Sequence, residues 1–168
     1  MVGGKIIWMK KVFIFIIFFL NNNAFADHTK TDRDLINLMS KNTNTEIGIN
    51  LILKHEYEKA IDYFTKAAEN KDMDSAANLG LIFEYLKNNI AKAEEYYILS
   101  ASYGNAYGQY NLGILNFIVK KDKKNGYKWI SCAANQGYLL AIEAKSFLFQ
   151  NQMISLKDSK LIDDNLTC

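Results

Sequence analysis

Tyr63-Phe64-Thr65-Lys66-Ala67-Ala68, Tyr96-Tyr97-Ile98-Leu99-Ser100-Ala101 and Trp129-Ile130-Ser131-Cys132-Ala133-Ala134 are versions of one pattern, and they recur at a step of 33 residues. A small residue (Ala60, Ala93 or Gly126) stands three places before each leading aromatic. Upstream, Asn78-Leu79-Gly80 and Asn111-Leu112-Gly113 keep the same step, and Glu46-Ile47-Gly48 is a weaker copy one residue out of phase. Gly104 and Gly137 close two of the units, while Lys71 holds that place in the first. Several positions recurring at a single offset of this size mark an array of stacked supersecondary units.

Each unit reads as two helices. In Ala76–Leu86 and Tyr110–Ile118 apolar residues recur three and four apart, which gathers them on one helical face. In each second helix the small residue and the aromatic share a stripe. The small residue permits close approach of a neighbour, and the aromatic is expected to fill the adjacent groove. Gly104 and Gly137 lie where a helix C-terminus calls for a left-handed residue. With no proline in the chain, nothing interrupts helices of about 12 to 15 residues. One pair alone leaves its apolar face open, so the pairs must stack.

These residues resemble a known family. Gly108-Gln109-Tyr110-Asn111-Leu112-Gly113, followed by Gly126 to Gly137, is similar to the Sel1-like repeat, a relative of the tetratricopeptide repeat. The resemblance implies an all-α fold, an α-solenoid of stacked antiparallel helix pairs. It covers about residues 46–150, with the third unit matching best, Ser100 replacing an Ala in the second, and the first lacking its closing Gly. The units are a little shorter than is usual for the family. The expected organisation is repeats over 45–150 (45–72, 73–105, 106–138 and a partial fourth at 139–150), an N-terminal capping helix within 27–44, and a C-terminal cap over 151–168. Leu35, Ile36, Leu38 and Met39 supply the inward face of the first cap. The second mixes Leu156, Leu161, Ile162 and Leu166 with charged residues.

Residues 1–26 read as an address. Lys10 and Lys11 precede the apolar run Val12–Leu20, a polar stretch follows, and Ala24-Phe25-Ala26 forms an A-x-A cleavage site. Nine apolar residues in a helix span only about 14 Å against roughly 30 Å of bilayer core, so no stable membrane anchor is expected. Cleavage after Ala26 would leave a periplasmic or secreted chain. Met9 is an alternative start to Met1. The formal charge of +2 rests on Lys5, Lys10 and Lys11 of this segment; without them 17 basic residues face 18 acidic ones. Such a balance gives no reason to expect nucleic acid as a partner.

Catalytic signatures are missing. There is no G-x-S-x-G, Walker loop, GxGxxG or H-E-x-x-H. His28 and His55 have no His or Cys at metal-ligand spacing, and Glu94-Glu95 and Asp163-Asp164 are helix neighbours that do not face one another. Lys120–Lys124, between two helices, reads as an exposed loop. No enzyme, metal or cofactor is expected. Export makes a disulfide between Cys132 and Cys168 feasible if the cap folds back over the last units. Otherwise Cys132 is a buried thiol and Cys168 a loose one. The family's cysteine-rich members, to which β-lactam binding has been attributed, carry two cysteines per unit, a pattern this chain lacks.

The resemblance also implies that first helices line a concave groove able to bind protein without catalytic groups. Counted from Gly80 and Gly113, the groove residues are Asp74, Asn78, Leu81, Glu84 and Tyr85, then Tyr107, Asn111, Ile114 and Phe117, with Tyr110 nearby. Tyrosine is a frequent interface anchor. The expectation is an exported binding module for a protein partner, with two alternatives. One is an immunity protein against a secreted antibacterial effector, which the family implies; the other is an enzyme acting on cell-wall or β-lactam substrates.

Overall fold

The turns between helices repeat their backbone geometry at the 33-residue step. The computed structural model describes Met39 and residues 45–168, all within one compact unit. The expected address over 1–26 and the capping helix within 27–44 lie outside the described residues, save Met39, which is buried in the core. Among the described residues there are eight α-helices and no strand: α1 (Glu46–Leu53), α2 (Tyr57–Glu69), α3 (Met73–Tyr85), α4 (Ile90–Ser102), α5 (Ala106–Ile114), α6 (Lys123–Asn135), α7 (Leu139–Gln150) and α8 (Leu156–Asp164). A π-helical stretch, Leu115–Val119, continues α5.

Five of the eight helix starts are set by side chains that take up the orphan N–H groups of a first turn. Asp72, Asn89, Asn105, Asp122 and Ser155 each accept from the backbone N–H three residues on, at 2.8 to 3.2 Å. Asp72 and Asn105 stand 33 apart, as do Asn89, Asp122 and Ser155. Helix ends are set by left-handed residues in two series with the same step. Lys71, Gly104 and Gly137 separate one unit from the next, and His55, Asn88 and Lys121 separate the two helices of a pair.

Within a pair, a glycine of the first helix receives a large side chain of the second. Gly48 faces the ring of Phe64, Gly80 the ring of Tyr97, and Gly113 the side chain and backbone of Ile130. Phe64, Tyr97 and Ile130 are fully buried, and each is worth roughly 1.5–3 kcal/mol by area alone. This corrects the sequence expectation by one residue. The leading aromatics Tyr63, Tyr96 and Trp129 are only half-buried. From the small residue, a step of four returns closer to the same helical face than a step of three, so the second residue of each pattern enters the notch. Tyr96 instead stacks on Phe83, with ring centroids 5.5 Å apart.

Successive pairs join through the second helix of one and the first of the next, α2 on α3, α4 on α5 and α6 on α7. Ser100 replaces an Ala usefully, since its buried hydroxyl donates to the Met73 carbonyl at 2.7 Å. Helix α7 spans the expected partial unit, and α8 begins one 33-residue step after α6. The C-terminal stretch thus keeps the step of a second helix, although α8 packs on α6. No helix among the described residues is long and apolar enough to cross a membrane.

Candidate functional site

The groove expected from sequence is largely filled. Asn78, Leu81, Tyr107, Tyr110 and Phe117 are buried, which corrects their placement on an open concave face. The reason is mutual packing: the Tyr107 hydroxyl donates to Asn78 Oδ1 at 2.9 Å, and the rings of Tyr107 and Tyr110 lie 6.3 and 5.5 Å from that of Tyr138. Asp74, Glu84, Tyr85, Asn111 and Ile114 are half-buried. Glu84 accepts from the Tyr97 hydroxyl at 2.8 Å, and Asp74 from Asn105 Nδ2 at 2.9 Å. One step after Asn78 and Tyr107 come Asn111 and Leu140. The shielded Nδ2 of Asn111 has no hydrogen-bond partner.

The electrostatics agree with a packed layer. Burial, and then Glu84, push the Tyr85 and Tyr97 hydroxyls well above their ordinary range. Tyr110 is raised by burial and by Tyr138, and Tyr138 is pushed up to about 12 by burial and then Asp74. These phenols are therefore neutral at physiological pH.

An open cleft lies instead where the turns between units stand side by side. Asn70, Lys71, Asp72, Met73 and Asp74 come from the α2–α3 turn, and Tyr103, Gly104 and Asn105 from the α4–α5 turn; together they line about 440 Å³. Its wall is rigid. Asn105 caps α5 with its oxygen and binds Asp74 with its nitrogen, Asp72 caps α3 through Ser75, and Ser100 ties α4 to the start of α3. Tyr103 at the rim is 60 % exposed. A cation at Lys71, two carboxylates and one exposed ring suit a polar loop or side chain of another molecule. The sequence reading took only Asp74 from this set, although the 33-residue recurrence of the turn residues was visible.

No cluster of three His, Cys, Asp or Glu side chains suited to a metal occurs among the described residues. His55, at the turn between α1 and α2, bonds the Tyr57 hydroxyl at 2.8 Å. Cys132 of α6 and Cys168 form a disulfide with Cα atoms 5.8 Å apart. The same surface of α6 holds α8 through Tyr127 and Asp163 at 3.2 Å and through the ion pair of Lys124 with Asp158 at 3.0 Å.

Stacked helix pairs with notches that admit a large side chain define a helical-repeat protein. The sequence profile of the Sel1 repeat matches residues 47–72, 74–105 and 106–138. The chain belongs to the Sel1 repeat family, whose repeats are generally protein–protein interaction modules. No curated protein and no solved structure matches it.

Proposed function

We propose that this chain is an exported helical-repeat module, periplasmic or secreted, that recruits or blocks a protein partner and holds it at the cleft between its inter-unit turns. The carrying observation is Tyr103, a large aromatic left exposed at the rim of a cleft whose other walls are fixed by capping bonds. Folding gains little from such a ring, whereas an interface gains much: tyrosines rank among the residues whose truncation most often costs 2 kcal/mol or more of binding. The charged n-region, short apolar run and A-x-A site support export. Of the concave-face set, Asp74 belongs to this cleft. A narrower form of the reading makes the partner a secreted antibacterial effector, and an effector gene beside this one would support it.

The test is differential capture. Proteins cross-linked in the periplasm to the unaltered chain and to Tyr103→Ala are compared by mass spectrometry. The reading expects one species lost by roughly tenfold or more from the variant, with the variant's helicity and melting unchanged. Equal recovery of every captured protein would overturn the cleft as the site. Intact mass retaining residues 1–26 on the recovered chain would overturn export by cleavage.

A further inference from the structure

Helix α8 is held on the array almost without apolar burial. Asp163 stands where Phe64, Tyr97 and Ile130 enter the notches of the earlier units, and a carboxylate pressed into an apolar notch would lose its hydration without compensation. The helix lies instead along α6. Of its own residues only Ser159 is buried, and Leu156 and Leu161 stay exposed. Its attachments are polar or covalent. Asp163 accepts from Tyr127 at 3.2 Å and from Lys145 at 2.8 Å, Lys124 pairs with Asp158 at 3.0 Å, and Cys168, just beyond the helix, is bonded to Cys132. What α8 covers is shown by the preceding unit. Ser131 and Cys132 of α6 are 0 % and 1 % exposed, whereas Ile98 and Leu99 of α4, one step earlier, are 48 % and 36 % exposed. The terminal helix closes a face of α6 that α4 leaves open.

We propose that α8 is a thiol-operated strap, closed over α6 while Cys132 and Cys168 are joined and released when a dithiol reduces them. Once the disulfide is gone, the hold rests on the Tyr127 hydrogen bond and two solvent-accessible ion pairs, and pairs of that kind bind two segments only weakly. A helix of nine residues parted from its support is too short to persist in water, so release also unwinds it. Buried Ile154 is the root of the strap, and α1 to α7 pack on one another without it. Cys168 is the exposed half of the disulfide and Cys132 the buried half, so exchange begins at Cys168. A thiolate of the dithiol attacks Cys168 Sγ, the bond to Cys132 breaks, and Cys132 leaves as a thiolate that takes a proton from water. The second sulfur of the dithiol gives up its proton and displaces Cys168, which is protonated in turn. The dithiol ends as a cyclic disulfide, and two electrons and two protons have passed to the protein.

The test compares the purified chain, oxidised and after treatment with dithiothreitol, by hydrogen exchange read with mass spectrometry. Reduction should speed exchange over α8 by about tenfold or more while α3, α4 and α5 keep their protection. After removal of the dithiol, the reduced chain should take two maleimide labels, one of them on Cys132. Cys168→Ser should show the released pattern with or without dithiol. Equal exchange of α8 in the two forms, loss of its protection only together with that of α3 to α5, or a Cys132 that stays unlabelled in the reduced chain would each overturn the proposal.

Discussion

Gly113→Val should weaken the array through crowding between paired helices. A Cβ at Gly113 would lie 2.7 Å from Ile130 Cγ1, 2.9 Å from Ile130 N and 3.0 Å from the Gly126 carbonyl oxygen. Two of those three atoms are backbone, so a rotamer change of Ile130 cannot relieve the contact and α6 itself must move. Restoring a normal separation of about 3.5–4 Å displaces that helix by most of an ångström. Overpacking of this kind costs about 1–3 kcal/mol, and the absence of a side-chain escape puts Gly113→Val at the upper end. Valine recovers a few tenths of a kcal/mol in helix propensity over glycine. At roughly 2–4 °C per kcal/mol, the melting temperature should fall by about 6–10 °C. Gly104→Ala is the control: its φ is +78° and nothing lies within 4 Å of an added Cβ, so only the left-handed conformation is penalised, by about 1 kcal/mol. Scanning calorimetry on both variants decides the matter. A Gly113→Val protein that melts with the unaltered chain, or no lower than Gly104→Ala, would falsify the notch account.

Lys71 holds φ +66° where the other units have glycine, so Lys71→Gly should raise the melting temperature by about 2 °C, and an unchanged or lower value would mean that the lysine is held by contacts stronger than its strain. Cys132 and Cys168 are 36 residues apart; by loop-closure entropy their reduction, or Cys168→Ser, should cost about 3–4 kcal/mol and lower the thermal midpoint by about 10 °C, and overlapping melts with and without dithiol would contradict it. Tyr127 and Tyr138 are each pushed up to about 12, chiefly by burial. Raised folded values mean that the folded state keeps protons the unfolded chain releases, so their contribution is whole below about pH 10 and is lost as pH rises toward 12. Denaturant midpoints flat across that interval would refute it.

The steps, the notch glycines and the inter-unit glycines were legible in the sequence because each demands a restricted residue type, a small group for close approach or a glycine for a left-handed turn; the residue that fills each notch was read one place too early. The second turn series was not legible. His55, Asn88 and Lys121 share a backbone angle and no side-chain chemistry. The concave-face expectation failed for another reason. Ser75 to Phe83 of α3 are all buried, since a first helix is flanked by its own partner, by the preceding unit and by the next first helix. A helix buried on nearly all sides carries no periodicity from which to read an open face. The cleft escaped because it belongs to no single segment; two turns 33 residues apart build it. Pairing of Cys132 with Cys168 depends on where α8 lies, and that follows from Asp163 occupying a position where its sister residues are apolar.

Partner capture at Tyr103 is the claim on which the functional account turns, and a photo-reactive phenylalanine analogue placed there tests it in the living cell. With irradiation, the account predicts one dominant covalent adduct to another protein at position 103 and none of that mass when the analogue replaces exposed His55. Adducts that are the same at both positions, or absent at 103 while the chain is folded and exported, would contradict it.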